Sequence, residues 1–590
     1  MMALIAENMA PIMFLSLILF LILGYPVAFS LAANGLLFFF IGVALAPLSS
    51  GEITLSWPLL YALPDRFWGT LANETLLAIP FFTFMGIVLE KSGMAEDLLD
   101  TIGQLFGPIR GGLAYAVVLV GALLAATTGV VAASVIAMGL ISLPIMMRYG
   151  YDRRLASGVI VASGTLAQII PPSLVLIVLA DQLGRSVGDM YAGALYPSLI
   201  LTSLYLLYIF AMSILRPNSM PALPLEARTL GHGVTSLFVA LLVCGAIGYG
   251  AHVLLSATQG TNADILGGVV GVLTIYVFTI VDRALNLNIM SRLAQQVIIV
   301  LIPPLALVFL VLGTIFLGIA TPTEGGAMGA VGALLLAGFK RRLSLDVVTG
   351  ALMSTTRLSA FVMFILLGAR VFSLTFYGVN GHLWVEHLLT SLPGGEVGFL
   401  IAVNILVFFL AFFLDFFELA FIIVPLLAPA ATALGIDLIW FGVLLGVNMQ
   451  TSFMHPPFGF ALFFLRSVAA RVPYLDRITG KTIQPITTGQ IYRGAIPFLG
   501  IQIFMIALVI IFPGMVMHYK GNVEAVDPST IRIDIPGFAA PGGGTGLPSF
   551  DLPALSTPPS FGAPPPVDPG GAQPAQPAPA PDFSQPPSFN

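Results

Sequence analysis

The chain contains one ordered set of chain-breaking landmarks twice. Gly24-Tyr25-Pro26, Leu143-Pro144, Ile169-Ile170-Pro171-Pro172-Ser173 and Asp189-Met190-Tyr191-Ala192-Gly193-Ala194-Leu195-Tyr196-Pro197 form the first set. Ala320-Thr321-Pro322-Thr323-Glu324, Val424-Pro425, Met454-His455-Pro456-Pro457-Phe458-Gly459 and Gln490-Ile491-Tyr492-Arg493-Gly494-Ala495-Ile496-Pro497 form the second. They define two halves, roughly residues 10–213 and 300–514. Each half must fold around an apolar segment interrupted by a Pro pair. A Pro inside a helix removes an N–H donor and clashes with the preceding turn.

Of 590 residues, 58% are hydrophobic and 9% charged, which excludes a soluble domain. Apolar runs recur that are long enough, at about 20 residues, to cross ~30 Å of hydrocarbon. The first begins near Met9 with no basic n-region or A-x-A-like cleavage site, and reads as a retained helix. Cys244, the one cysteine, cannot form an intrachain disulfide and reads as a small core residue. Gly480-Lys481-Thr482 looks like the end of a Walker A motif, but position 475 is Leu instead of the required Gly. Zinc-ligand spacing and G-x-S-x-G are also missing, so no enzyme chemistry is expected.

The expected fold is all-α and polytopic. Crossings are read at about 10–23, 28–46, 76–92, 154–180, 190–213, 233–256, 264–282, 293–317, 325–339, 355–377, 437–465 and 495–515. These twelve are joined by two re-entrant hairpins, at about 112–146 and 397–430. Arg110 precedes the first hairpin and Arg148, Arg153 and Arg154 follow it, so both of its ends are assigned to the cytoplasm. On that assignment only Arg66, Arg185, Lys520 and Arg532 lie outside, while most Lys and Arg, including Arg477, lie inside. The first half then holds an odd number of crossings, and the repeats are inverted. The expected domains are a first repeat at 1–213, an insertion with two extra helices at 214–292, a second repeat at 293–520, and a disordered Pro/Gly/Ala-rich tail at 521–590. Both termini are expected on the periplasmic side of a bacterial inner membrane.

Duplicated membrane halves with paired broken helices mark secondary transporters whose site lies between the repeats. Each Pro pair frees carbonyls at membrane depth, which protein, water or an ion must satisfy. Ser163-Gly164-Thr165-Leu166-Ala167-Gln168 leads into the first break and Asn448-Met449-Gln450-Thr451-Ser452 into the second. Hydroxyls and amides beside freed carbonyls suit Na+, whereas a simple Pro kink needs no ion. The hairpin tips are Thr127-Thr128-Gly129 and Phe413-Leu414-Asp415-Phe416-Phe417-Glu418. A carboxylate at that depth is a functional candidate by default. The alternatives for Glu418 are capping a half-helix or pairing with Arg370. His455 can donate to an anion or be a satisfied histidine. Glu324 can cap the helix after Pro322. Ser163, Thr165, Ser173, Glu418, Gln450, His455, Thr321 and Thr323 are the candidate substrate contacts.

These landmarks resemble the large membrane subunit (DctM family) of tripartite ATP-independent periplasmic, or TRAP, transporters. The similar residues include Leu23-Gly24-Tyr25-Pro26-Val27-Ala28-Phe29, Ala133-Ser134-Val135-Ile136-Ala137-Met138-Gly139, Tyr149-Gly150-Tyr151-Asp152 and Gly318-Ile319-Ala320-Thr321-Pro322-Thr323-Glu324. Both Pro-pair segments belong to the match. The resemblance implies an elevator-type Na+-coupled importer with no other cofactor. It also implies a separate periplasmic substrate-binding protein and a small four-helix membrane subunit (DctQ-like) as partners. By the same resemblance, one Na+ set is Thr127, Thr128, Gly129, Gly164, Ala167 and Pro171. The other is Asp415, Met449, Thr451, Met454 and Pro456. This chain departs from the family at Thr128-Gly129-Val130, where Ser-Gly-Ser is common, and in the 217–292 stretch and the tail. The expected cargo is a small organic anion, with dicarboxylates, sugar acids and 2-oxo or hydroxy monocarboxylates all open. The alternative is a stand-alone Na+- or H+-coupled carboxylate carrier without a binding protein.

Overall fold

The structure is a computed structural model that describes residues 6–49, 51–231, 233–259, 263–476 and 478–520. Arg477 and the tail read at 521–590, with Arg532, lie outside the described residues. The first half runs through α1 (Met9–Ile22), α2 (Val27–Leu45), α3 (Leu63–Leu71), α4 (Ala78–Lys91), α5 (Met94–Phe106), α6 (Gly112–Thr128), α7 (Val131–Arg148), α8 (Arg153–Thr165), α9 (Leu174–Gln182) and α10 (Val187–Leu215). α11 (Val234–Gln259) and α12 (Ala263–Ala284) pack on each other as an antiparallel-connected pair. The second half comprises α13 (Arg292–Phe316), α14 (Pro322–Phe339), α15 (Leu345–Gly378), α16 (Gly381–Thr390), α17 (Gly395–Leu410), α18 (Phe416–Ala433), α19 (Leu438–Thr451), α20 (Phe460–Val468), α21 (Thr488–Ile511) and α22 (Gly514–Met517).

Among the described residues, nine helices are long and apolar enough to cross a membrane, or up to 11 if each of two bent pairs is one span. The twelve crossings and two hairpins read from the sequence are divided differently here. α1 has only 14 residues, and each half of the two broken segments is shorter still or equal to it. The hairpins are α6–α7, turning at Gly129-Val130, and α17–α18, turning at 411–415. Gly129 takes φ +59°, a left-handed conformation that costs glycine little. Three short helices, α3, α5 and α16, were not anticipated, because their apolar runs are too brief to read as spans.

Local chemistry repeats between the halves. Asp152 caps α8 by accepting from Arg154 N and Leu155 N at 2.9 and 3.1 Å. Asp437 caps α19 by accepting from Ile439 N and Trp440 N at 2.8 and 3.2 Å. Ser186 starts α10 and Thr487 starts α21 in the same way. A side-chain oxygen satisfies N–H groups that an α-helix leaves unpaired at its start.

Packing then interlocks the halves. α2 lies on α15 and α4 on α14. Thr375 of α15 donates its hydroxyl to Gly35 O of α2 at 2.8 Å. α8 crosses α21 where Gly158 and Gly494 face each other, and a Cβ on either would run into the other helix's backbone. The second half of each broken segment packs on the returning helix of the other repeat's hairpin: α9 on α18, and α20 on α7.

Between α20 and α21 an antiparallel ribbon, β1 (Tyr474–Leu475) and β2 (Thr482–Ile483), pairs Tyr474 with Ile483 and Leu475 with Thr482. Asp476 joins this ribbon to the base of the first hairpin. It accepts from Thr479 N and Oγ1 at 2.9 and 2.6 Å and forms a forked ion pair with Arg148, whose Nε lies 3.0 and 3.1 Å from the two oxygens. The Thr479 hydroxyl bond, then the Thr479 amide and Arg148, hold its carboxyl below the usual carboxylate range.

Two predictions follow from this packing. Gly158→Leu should separate α8 from α21 and lower the melting temperature of the purified protein, a cost of ~1–3 kcal/mol for overpacking. Because the Asp476 pKa is depressed on folding, its tie is complete above the ordinary carboxylate value of about 3.9 and is lost as pH falls through the lowered one. Protease cleavage within 476–482 should therefore stay slow from pH 7 to 5 and accelerate below ~4, whereas Asp476→Asn should be cleaved quickly at every pH.

Candidate functional site between the hairpin tips and the broken helices

Each break interrupts a helix whose polar residues are deeply buried. In the first, α8 passes through a 3-10 turn at Leu166–Gln168 and an irregular stretch before α9. In the second, residues 452–459 separate α19 from α20. The Pro171–Pro172 and Pro456–Pro457 peptide bonds are both cis. Ser173 donates its hydroxyl to Gln168 O across the first break. Gly459 N donates to His455 O at 2.6 Å across the second.

The repeated tyrosines reach these same breaks. Tyr191 OH lies 3.5 Å from Ser173 O, and Tyr492 OH donates to Pro457 O at 3.2 Å. Tyr191 thus approaches the N-cap carbonyl of α9, which also accepts from Ile177 N, and Tyr492 donates to a carbonyl of the second Pro pair, so each recurring Tyr contacts the break of its own repeat. The sequence held this signal, since both tyrosines sit in the recurring motif. Its purpose became visible only with the fold.

The tips lie against the breaks. At the first, Thr128 Oγ1 and Ser134 Oγ share a hydrogen bond of 2.9 Å, and Thr127 donates to Leu124 O at 2.9 Å. Gly129 faces Pro172 O and Leu174, while Gly164 faces Val135 of the returning helix. Thr127, Thr128, Gly129, Gly164 and the residues beside Pro171 are thus brought together. Ala167 and Ser163 are buried on the same segment.

At the second tip, Asp415 and Glu418 form a reciprocal capping box. Asp415 Oδ1 accepts from Glu418 N and Glu418 Oε2 accepts from Asp415 N, both at 2.9 Å. Glu418 takes the capping alternative; Arg370 instead donates to Thr70 Oγ1 at 3.1 Å. A π-turn at Leu419–Ile423 follows. His455 is buried, stacked on Phe412 at 4.4 Å and edge-on to Phe408 at 4.1 Å. Among the described residues, neither ring nitrogen has a hydrogen-bond partner. Phe413 lies 6.1 Å from Phe458, so the second tip sits on the second break.

Asn448 fastens α19 to the hairpin. Its Nδ2 donates to Asn404 O and Oδ1 at 2.8 and 2.9 Å. Met449, Gln450, Thr451 and Met454 are all buried beside it. Gln450 Nε2 donates to Thr165 Oγ1 at 3.3 Å, linking the two broken segments. Gln168 keeps both amide atoms, and Gln450 its Oε1, buried without a partner among the described residues. Buried polar atoms of this kind are rare, and each marks a place where water or a ligand can be held. Sequence reading had not singled out Asn404, or Tyr205 and Gln502, which lie in apolar runs.

Thr321 and Thr323 sit apart. Thr321 and Glu324 form their own capping box, and Thr323 donates its hydroxyl to Glu74 O at 2.6 Å. Their hydrogen bonds lead to the 74–77 turn and not to either tip. By contrast, the Gly24-Tyr25-Pro26 landmark meets the second tip. A cavity of about 340 Å³ lies between that loop, Phe361 and Phe364 of α15, and Phe413 and Glu418.

A mostly helical membrane protein of two interlocked repeats, each with a hairpin tip seated on a broken helix, has the architecture of a secondary transporter. The sequence profile described as "Tripartite ATP-independent periplasmic transporter, DctM component" matches residues 14–295 and 217–515. The chain belongs to that family, and its relatives are transporters. The Pseudomonas aeruginosa C4-dicarboxylate TRAP transporter large permease protein DctM is 28% identical over 77% of this chain and 88% of its own. The Vibrio cholerae C4-dicarboxylate TRAP transporter large permease protein DctM is 26% identical over 85% of this chain and 95% of its own. The isethionate TRAP transporter permease protein DctMQ of Oleidesulfovibrio alaskensis is 23% identical over 79% of this chain and 62% of its own.

Asn448→Ala should lower the melting temperature by the equivalent of ~1–3 kcal/mol, because it deletes both bonds to Asn404 and leaves the Asn404 side chain without its buried partner. Tyr492→Phe, which removes one partly exposed bond, should cost roughly 0.5–1.5 kcal/mol. Thermal unfolding of the purified variants in detergent measures both.

Proposed function

We propose that this chain is the large permease subunit of a Na+-coupled, binding-protein-dependent importer for a small organic anion in a bacterial inner membrane. The observation that carries this reading is the seating of each hairpin tip on the broken helix of its own repeat. Two such seats, built by a duplicated sequence, provide two places where main-chain oxygens meet hydroxyls at membrane depth. Na+ prefers oxygen ligands, and irregular backbone inside a bilayer has to be satisfied. One set draws on Thr127, Thr128, Gly129, Gly164, Ala167 and Pro171. The other draws on Asp415, Met449, Thr451, Met454 and Pro456. The second set contains a carboxylate, so an ion there also offsets a negative charge that is expensive in hydrocarbon.

The anion is placed between the tips, where Ser163, Thr165, Ser173, Gln450 and His455 lie near half-helix ends. The N-termini of α7 and α9 offer N–H groups and positive dipole ends to a carboxylate or sulfonate. Glu418 repels an anion unless a cation lies between them, which gives the coupling ion a second task. The names of the relatives, C4-dicarboxylate and isethionate transporters, support organic anions as the class. A DctQ-like small subunit and a periplasmic binding protein complete the assembly, with both termini of this chain on the periplasmic side.

The test is uptake of a carboxylate and sulfonate panel into proteoliposomes containing this chain and its small subunit. The expected result is uptake that needs both an inward Na+ gradient and the binding protein, and that falls at least ~100-fold in Asp415→Ala, in the range a charge-stabilising group supplies. Uptake without a binding protein would point to a stand-alone carrier, and uptake indifferent to Na+ would remove both ion assignments.

A further inference from the structure

The amide of Gln502 stands where the two repeats touch. Gln502 belongs to α21 and is fully buried. Its Nε2 lies 3.0 Å from Tyr205 OH of α10, 3.4 Å from Thr165 Oγ1 and 3.3 Å from Met454 Sδ. Tyr205 is equally buried and packs edge-on against Phe498, one turn before Gln502 on the same helix, at 5.3 Å. Thr165 and Met454 also touch directly, Oγ1 to Sδ at 3.7 Å.

These contacts join two particular places. Thr165 is the last residue of α8, between Gly164 and the turn that carries Ala167. Both of those belong to the first proposed Na+ set. Met454 lies in the second break and belongs to the second set. One side chain therefore touches a first-repeat neighbour of one ion seat and a second-repeat member of the other. Tyr205 braces it from a helix outside both broken segments.

We propose that Gln502, braced by Tyr205, is a positioning residue that couples the two broken segments, so that Na+ at one seat raises affinity at the other. This rests on the Na+-coupled reading above. The seats draw largely on main-chain oxygens, so filling one fixes the backbone on which Thr165 or Met454 rides. A close-packed interior passes such small shifts between a few discrete arrangements instead of absorbing them. The coupling is reciprocal, as binding equilibria require.

The experiment is a binding isotherm for radiolabelled Na+ on the full-length chain with its small subunit in detergent, without any substrate, alongside gel filtration and circular dichroism. The wild type should bind with a Hill coefficient above about 1.5. Gln502→Met keeps length and packing but loses the donor, and should bring the coefficient to about 1 and raise half-saturation about 5-fold or more, within the usual range of coupling factors. It should still elute as a monodisperse species with the wild-type helical content in Na+-free buffer, which separates loss of coupling from loss of the fold. Should Gln502→Met not fold, Tyr205→Phe, which removes one oxygen from the brace, decides the matter and should move the coefficient the same way. A folded variant with the wild-type coefficient and half-saturation overturns the proposal alone. A non-cooperative wild-type isotherm does the same, and a wild type that binds no Na+ overturns the ion-coupled function as well.

Discussion

A peptide group that leaves a helix inside a bilayer has no water to turn to, and this molecule does so twice at equivalent places. Each Pro pair removes donors and frees carbonyls. Much of the surrounding architecture answers that cost. Ser173 reaches back to Gln168 O, Gly459 N reaches back to His455 O, and Tyr191 and Tyr492 approach carbonyls at Ser173 and Pro457. The hairpin tips then cover the breaks from the other side. Partners for the breaks come from separate helices, so these helices have to stay together as a unit.

Duplication supplies that unit without a special device for each half. A capping Asp starts both α8 and α19, and a hydroxyl starts both α10 and α21. The close approach of α8 to α21 through Gly158 and Gly494 crosses from one repeat to the other. So does the seating of α9 on α18 and of α20 on α7. Because each repeat completes the other's packing, neither half has a full core alone. A change in one seat is felt in the opposite repeat through ordinary close packing.

The breaks, the hairpins and the repeat were legible because Pro and Gly leave local signatures that survive sequence divergence between the halves. Asp415 and Glu418 were legible because charge in an apolar run stands out. Capping by Glu418 was one alternative that spacing left open, beside an ion pair with Arg370 and a functional contact; in the fold Glu418 caps and Arg370 turns to Thr70. Gln502 and Tyr205 were invisible for a physical reason. A single amide or phenol in a long apolar helix looks the same whether it faces lipid headgroups or another helix. Only the crossing of α10 and α21 beside the end of α8 brings these polar atoms within 3.4 Å. Thr321 and Thr323 are a different case. A conspicuous Pro-centred motif was read near the site, and its hydrogen bonds serve a capping box and the 74–77 turn.

The two tips are alike in position and different in charge. The first offers a hydroxyl pair, Thr128 and Ser134, at a left-handed glycine. The second offers two carboxylates that occupy each other's backbone N–H groups. Capping supplies neither acid with a cationic partner, because the donors are amides and Arg370 is engaged elsewhere. Negative charge at membrane depth is costly and is relieved by a cation or a proton. At the first tip an added cation brings uncompensated charge, and at the second it removes some. On the proposed Na+-coupled reading the second seat is expected to fill first, because only its tip carries carboxyl groups.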